Sequence, residues 1–547
     1  MISKVLKVHQ SDNVIVALTD LEQGAVISYQ GLSYTLVNKI PAKHKFTTTH
    51  LQIGDPVFMY GVLVGKASQE IPAGGLIHTG NLKHASADYF GKTKEYHWTA
   101  PDISHFENKQ FLGYHRNDGT VGTANYWVFI PTVFCENRNL DFIKEALNKE
   151  LGYAPSEKYK LFANQLVDLY KKGTLTDSIL PEIEETVIST KRVFPHVDGI
   201  KFLNHQGGCG GTRQDSEVLK RLLASYVDHP NVAGATVLSL GCQHLQLDDF
   251  MAELKRRNPS FDKPVFTFEQ QTSQSEEQLI KEAISKTFFG LIEANKNERK
   301  PAPLSKLRLG VKCGGSDGFS GISANPAVGH AADLLVGLGG SVLLAEFPEL
   351  NGVEQELADR CETPELAAKF VHLMKSYSAQ AQAVGSGFDM NPSPGNIKDG
   401  LITDAIKSAG AAKKGGTAPV TDVLDYTEPV TKPGLNLVCT PGNDVEATTG
   451  KASAGATLIL FTTGLGTPTG NPICPVIKVS TNNTLAQKMS DIIDIDTGDV
   501  ISKGVSISEM GERILDYCIQ VASGEIIPKA VQLQQDDFIP WKRGVSL

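Results

Sequence analysis

Apolar positions along this chain fall into two textures. Over the first ninety residues they form short runs, Val14 to Leu18, Val26 to Tyr29, Ser33 to Val37, Pro56 to Tyr60 and Val62 to Lys66, separated by Gly, Asp-Asn and Pro. Gln30-Gly31 and Tyr60-Gly61 stand where two-residue hairpin turns are expected. The pattern predicts a small β domain over residues 1–90, closing on Gly74, Gly75 and His78-Thr79-Gly80-Asn81, with a polar linker over 91–110.

From Phe111 the period changes. Asn125 to Thr132 precedes a helical stretch Leu140 to Leu151, and Thr236 to Leu240 precedes Leu247 to Arg257. Val265 to Phe268 is followed by an amphipathic run from Glu276 to Ala294. After the polar stretch Lys296 to Pro303 come Leu307 to Val311, Ser341 to Ala345 and a helix around Pro364 to Gln382. Strand alternating with helix predicts parallel sheets covered on both faces. The turn-rich Asn391-Pro392-Ser393-Pro394-Gly395-Asn396 divides a catalytic α/β domain over 111–390 from a C-terminal α/β domain over 391–547, which carries Leu435 to Cys439, Thr457 to Phe461 and Val476 to Val479. The expected class is α/β, a small β domain followed by parallel-sheet domains.

Composition narrows the function. The chain has 547 residues, 41% hydrophobic and 21% charged, and a net charge of −9. No basic stripe could neutralise a run of phosphates, which argues against a nucleic-acid partner. No uninterrupted apolar stretch spans a bilayer and no apolar signal core opens the chain, so a cytoplasmic protein without a membrane partner is expected. A homo-oligomer is left open. Eight cysteines over this length are too sparse for a disulfide framework, and are expected as thiols or metal ligands.

The cysteines mark strand ends. Apolar runs finish at Cys135, Cys209, Cys242, Cys313 and Cys439, and residues at the carboxyl ends of parallel strands converge although they are far apart in sequence. Glycine-rich polar segments accompany them: 204–212, 241–244, 313–318, 440–444 and 462–470. Such loops let a ligand approach the backbone and bind anions through exposed N–H groups. None has the Walker or dinucleotide register. His205 and Cys209, four apart across a glycine turn, could share a metal with Cys242 or Cys135. The competing reading makes each cysteine a small core residue. Asp317 and Asp444 read either as helix caps or as carboxylates for metal or proton transfer. His44 and His78 read as solvated, and Glu346, Glu349 and Glu354 as a polar helix start.

Three long motifs, Cys313-Gly314-Gly315-Ser316-Asp317-Gly318-Phe319-Ser320-Gly321-Ile322-Ser323-Ala324-Asn325-Pro326, Asn391 to Asn396, and Gly464-Leu465-Gly466-Thr467-Pro468, resemble signatures of the altronate and galactarate dehydratase family. The N-terminal part resembles that family's SAF-type domain, through Asp12-Asn13-Val14, Gly54-Asp55, Tyr60-Gly61 and His78-Thr79-Gly80-Asn81, and Gly113 to Gly119 opens the main region. Pro441-Gly442-Asn443-Asp444 and the terminal Gly-Val-Ser-Leu are closer to the altronate branch. The sequence departs from the family at Gly80, where histidine is frequent, at Ala124 and Leu465, where arginine is frequent, and at Gln243, where glutamate is frequent.

The resemblance implies a hydro-lyase that takes D-altronate to 2-dehydro-3-deoxy-D-gluconate in hexuronate catabolism, with Fe(II), or alternatively Mn(II), as cofactor. For that reaction catalysis is expected of His205, as base or ligand, and of Asp317, Asp444 and His78, the last from a β domain acting as lid. Substrate contacts fall to Asn81, Gly314, Gly315, Ser316, Asn443, Gly466 and Thr467, and metal ligation to His205, Cys209, Cys242 and Cys135. Their irregular sequence separation favours a mononuclear ion over an iron–sulfur cluster. Two missing arginines leave the carboxylate to backbone nests and metal, or point to a different acid such as galactarate. A non-catalytic sugar-acid-binding or thiol-sensing protein is the rival from another class.

Overall fold

The computed structural model describes residues 3–176, 180–183, 191–544 and 546. Its N-terminal unit is built from antiparallel pairs: Val5–Leu6, Val14–Ala17 and Lys45–Thr47 in one sheet, a Val26–Tyr29/Leu32–Thr35 hairpin, and Pro56–Met59, Val62–Ala67 and Leu82–Lys83 in another. Both expected turns are present, with Gln30 and Gly31 at φ 50° and 81° and Tyr60 and Gly61 at 58° and 83°, the positive values that a two-residue hairpin needs. Strand Val14–Ala17 is buried on both faces. Ile15 and Ala17 pack with Val5, Leu36 and Phe46 inside the unit, whereas Val14 and Val16 join the core of the C-terminal domain.

The middle domain carries a four-stranded parallel sheet in the order Gly199–Phe202, Tyr126–Pro131, Val232–Ser239, Val265–Glu269. Helices Asn137–Leu151, Arg213–Asp228, Leu247–Arg257 and Glu276–Ala294 flank it. Gln110–His115 and Lys300–Pro303, read from sequence as linker edge and polar stretch, pair antiparallel.

The C-terminal domain is a seven-stranded, all-parallel sheet in the order Val420–Leu424, Gly434–Val438, Ser341–Ala345, Arg308–Cys313, Leu458–Thr463, Val476–Ser480, Ile495–Asp496. This corrects the expected boundary at 390: strands on both sides of it hydrogen-bond in one sheet. The division between domains lies instead near residue 300, because sequence adjacency of the turn-rich 391–396 segment says nothing about which strands pair across it. Among the described residues, no helix is long and apolar enough to cross a membrane.

The middle domain's core is organised around Trp127, fully buried, whose indole N–H donates to Thr236 Oγ1 at 3.0 Å. Gly234 and Gly290 make room for it, since a Cβ there would lie 2.4 and 2.2 Å from ring carbons. Gly290 sits inside helix Glu276–Ala294, where alanine would ordinarily gain about 1 kcal/mol of helix propensity. The clash should outweigh that gain: Gly290→Ala is expected to lower stability by about 1–3 kcal/mol, read as an earlier urea midpoint. A later midpoint would show that the ring can shift freely.

Candidate active site

The carboxyl ends of the seven-stranded sheet enclose a dense set of charges. Lys312, next to last in its strand, is fully buried, and its Nζ donates to the backbone oxygens of Cys313 at 2.8 Å and Gly442 at 3.1 Å. It pairs with Glu346 in a very short contact and with Asp444 Oδ1 at 3.0 Å. Glu346 terminates strand Ser341–Ala345 in a left-handed conformation, φ 71°, ψ 59°, and its N–H donates to Thr440 Oγ1. A non-glycine residue held there is strained, and such strain is characteristic of functional sites.

Three more lysines complete the set. Lys414 Nζ lies 3.1 Å from Glu346 Oε2 and 3.2 Å from Cys313 Sγ. Lys407 Nζ pairs with Glu349 Oε1 at 3.1 Å and donates to Asn391 Oδ1 at 2.8 Å. Lys451, from helix Asp444–Ala454, approaches Glu346 Oε2 at 3.7 Å but has no hydrogen-bond partner. Four ammonium groups thus face three carboxylates, Glu346, Glu349 and Asp444.

The titrations follow from that imbalance. Burial works against ionised Glu349, but Lys407, Lys312 and Lys414 outweigh it and hold its carboxyl at about 2. Burial also opposes the charges on Lys312 and Lys414, yet the acidic partners keep both above the ordinary lysine range. Lys451 is the exception: burial dominates, Lys312 and Lys414 add repulsion, and its pKa falls to about 8. Burial pushes the Cys313 thiol up, against the pull of the Lys414 ammonium. Asp404, buried on the adjoining helix, is pushed up to about 8 by desolvation. The Sγ of Cys313 and carboxylate oxygens of Glu346 and Glu349 lie within 4.8 Å of one another, a ligand-like grouping. Lysine nitrogens already occupy those donors, so the chemistry suits an anion and not a divalent cation.

Asp444 is the partly open group here, with a side chain 31% exposed. Asn443 caps its helix, Oδ1 accepting from the N–H groups of Val445 and Glu446 at 3.0 and 3.1 Å. Gly314 lies under the Asp444 carboxylate, where a Cβ would come within 2.4 Å of it. Asp317, in contrast, is fully buried and saturated by Phe319 N–H, Ser320 Oγ and Thr481 Oγ1 at 3.1–3.2 Å, with Lys43 Nζ at 3.0 Å. Ser316 Oγ is buried without a partner, while its backbone oxygen accepts from Asn396 at 2.8 Å. Asn391 and Asn396 therefore tie one loop to both parts of the site. Gly315, at φ 58°, accepts from Gly464 and Leu465 N–H groups through its carbonyl. Gly466 N–H donates to Thr463 Oγ1, and Thr467 Oγ1 meets Thr469 Oγ1.

The N-terminal domain reaches this region through Lys43 and Lys45. Lys43, at φ 73°, bridges Asp317 and Asp399, and Lys45 Nζ donates to Gly400 O at 2.6 Å. Gly318 and Gly400 admit the Lys43 carbonyl, which would stand 2.6 and 2.4 Å from a Cβ at either position. His78 is exposed, its Nδ1 accepting from Gly80 N–H within its own turn. Asn81 is buried, accepting from His78 N–H and donating to Leu76 O. Both fix a turn of the β domain, in contrast to the catalytic and binding roles expected of them.

A second strand-end region lies on the four-stranded sheet, where Cys135, Cys209 and Cys242 follow three adjacent strands and are all exposed. Phe134 N–H donates to Gly207 O at 3.0 Å, and Gly208, at φ 100°, has its Cα face against Thr132 O, fixing the Cys135 and Cys209 loops together. Burial, followed by the charges of Cys209 and Cys242, raises the Cys135 thiol, so the three are within electrostatic reach. His205 sits beside them but is buried. Its Nε2 donates to Pro131 O at 2.8 Å and its Nδ1 accepts from Gly207 N–H at 3.0 Å. Desolvation drives its pKa to about 4. With both ring nitrogens committed to backbone, His205 has no lone pair for a metal or a substrate proton, which corrects both roles expected of it. A cavity of about 360 Å³ adjoins, lined by His205, Cys209, His244, Phe538, Trp541 and Lys542 among others.

Comparison with known proteins agrees with this architecture. Residues 3–85 match the altronate/galactarate dehydratase SAF domain, 113–295 the D-galactarate dehydratase/altronate hydrolase second domain, and 304–546 the D-galactarate/altronate dehydratase C-terminal domain. Altronate dehydratase of Bacillus subtilis (strain 168) is 32% identical over 545 residues, 99% of each chain. Altronate dehydratase of Escherichia coli (strain K12) is 32% identical over 550 residues, again 99% of each. Galactarate dehydratase (L-threo-forming) of Escherichia coli (strain K12) is 28% identical over 525 residues, 95% of this chain and 93% of that protein. Matched end to end in all three of its domains, the chain belongs to the altronate and galactarate dehydratase family and is a hydro-lyase.

Proposed function

We propose that this enzyme dehydrates D-altronate to 2-dehydro-3-deoxy-D-gluconate, a step of hexuronate catabolism, with galactarate as the runner-up substrate. The observation that carries the reading is the excess of buried lysine over carboxylate at the ends of the seven-stranded sheet. A sugar acid brings the missing negative charge. Lysines supply what arginine would have brought at Leu465, beside Gly315, and at Ala124, which is buried in the middle domain.

In this reading the substrate carboxylate enters past Asp444 and is held by Lys407, while the buried charge of Lys312, whose N–H groups are taken up by protein acceptors, helps to disperse the charge that develops when the C2 proton leaves. Lys451 takes that proton: a depressed pKa and an unpartnered nitrogen give it the free lone pair that a base requires. The Lys451 ammonium so formed returns its proton to the C3 hydroxyl as the C3–O bond breaks, water leaves, and the enol tautomerises to the 2-keto acid. Asp444, with the backbone of Gly314, Gly315 and Ser316 and the Gly466-Thr467 loop, orients hydroxyls, and Lys43 with Asp317 closes the N-terminal domain over the site. Iron, with manganese as alternative, is the proposed cofactor. The exposed thiols of Cys135, Cys209 and Cys242 have the soft donor chemistry that iron accepts.

Hexonates and hexarates incubated with the anaerobically purified enzyme test the substrate: 2-keto acid should appear fastest from altronate, and galactarate turning over faster would reassign it. Lys451→Met should reduce kcat by about a hundredfold or more, within the range of a lost general base, and Lys451→Arg should not rescue it, because guanidinium stays protonated. Since the neutral amine is the active form, kcat/KM should rise with pH and level off above about 8. Near-wild-type turnover in Lys451→Arg would move the base elsewhere, Asp444 being next. Lys43→Met, which removes the Asp317 and Asp399 pairs, should raise KM more than it lowers kcat if the N-terminal domain acts by closure.

A further inference from the structure

Three exposed cysteines converge at the carboxyl end of one sheet, and the remaining five are buried. Each of the three follows its own strand: Cys135 after Tyr126–Pro131, Cys209 after Gly199–Phe202 and Cys242 after Val232–Ser239, with Pro131 in register with Leu238 and Phe129 with Phe202. Their loops are held by contacts that need glycine. Gly208 packs on the Thr132-Val133 backbone, where a Cβ would come within 2.4 Å, and Gly208 and Gly210 flank Cys209 at φ 100° and 69°. Gly241, at φ 121°, precedes Cys242. Left-handed residues of this kind point successive N–H groups into a concavity, the backbone shape found around phosphates and iron–sulfur centres.

Gln243 stabilises the third loop, donating to Ser239 Oγ at 2.7 Å and Leu245 O at 2.8 Å while accepting from Gly241 N–H at 2.8 Å. Its amide is thus spent on fixing the loop, and Cys242 is left outside that network.

Spacing distinguishes a single ion from a cluster. Sulfurs on one tetrahedral ion, with bonds of about 2.3 Å, lie about 3.8 Å apart. Thiolates on three different irons of a cubane lie farther apart, because each binds its own iron. Among the described residues, the set of three or more His, Cys, Asp or Glu donors within 4.8 Å of one another is Cys313, Glu346 and Glu349. The three strand-end sulfurs are therefore spread wider than one ion would hold them. His205, with both ring nitrogens bonded to backbone, supplies no fourth ligand.

We propose that Cys135, Cys209 and Cys242 bind a four-iron, four-sulfide cluster through three of its irons, leaving the fourth without a protein ligand beside the cavity lined by Cys209, His244 and Trp541. Sequence separation favoured a mononuclear ion, but parallel strands cancel that separation. The assignment deepens the iron requirement of the dehydration reading, yet it is tested without substrate.

Full-length enzyme purified without oxygen should contain about four iron and four acid-labile sulfide per chain, with a broad visible band and a paramagnetic signal on reduction. If it is isolated with little iron, reconstitution with ferrous iron and sulfide should restore that content. Cys135→Ser, Cys209→Ser and Cys242→Ser should each lose most of the sulfide with an unchanged circular dichroism spectrum. Cys361→Ser and Cys439→Ser, at buried positions, should keep it. One metal per chain without sulfide after reconstitution, or full sulfide in the Cys135/Cys209/Cys242 triple serine variant, would overturn the assignment. Sulfide present with no turnover of altronate or galactarate would overturn the substrate reading alone, and turnover in sulfide-free protein would overturn the cluster alone.

Discussion

Lys312 places an ammonium inside the C-terminal domain, one residue before the end of a central strand, where water does not reach it. Removing that charge from water costs several kcal/mol, and the cost is met only if an opposite charge and further acceptors are supplied in place. Glu346 supplies the charge, and Cys313 O, Gly442 O and Asp444 supply the rest. Much of the local fold follows from this pair. Glu346 must leave its strand in a left-handed conformation to reach Lys312, and Thr440 accepts its N–H to hold it there. Helix Asp444–Ala454 must come close, which its small residues Ala447, Gly450, Ala452 and Ala454 permit. Losing one partner of such a buried pair costs about 3–5 kcal/mol.

The same electrostatics that strain the fold prepare the chemistry. Three lysines can be satisfied by three carboxylates, and the fourth, Lys451, is left with depressed basicity and no hydrogen bond. With Lys451 protonated the site is short of one negative charge and attracts an anion, and an amine with a pKa of about 8 can give up its proton close to neutrality. The N-terminal domain adds to the closure of the site from outside: Lys43 satisfies the otherwise buried Asp317, so the loop that carries the longest sequence motif is completed only when that domain is docked.

Several features were legible in the sequence because they depend on near neighbours. The hairpin turns at Gln30-Gly31 and Tyr60-Gly61 need positive φ, and the sequence offers glycine at the second position of each. Helix Glu276–Ala294 and strand Ser341–Ala345 were expected with the bounds they have. His205 shows the limit. A histidine four residues before a cysteine in a glycine loop looks like a ligand, but whether its nitrogens are free depends on Pro131, more than seventy residues away. Lys312 and Lys451 were passed over although an isolated lysine in an apolar strand or a small-residue helix was the available signal.

By itself the sequence determined the α/β class, the separate N-terminal β domain, the motif loops and their concentration at strand ends, since periodicity, turn chemistry and local motifs are properties of contiguous residues. Only the tertiary structure decided which loops meet. Parallel strands paired across as many as about 150 residues put Asp444 against Lys312, docking of the N-terminal domain puts Lys43 against Asp317, and Cys135, Cys209 and Cys242 fall on a second sheet, with the domain division near residue 300. The reason is physical: a charge or thiol takes its protonation, its partners and its access to water from groups that close in space, and a linear chain does not specify which of these will surround it until the sheets have formed.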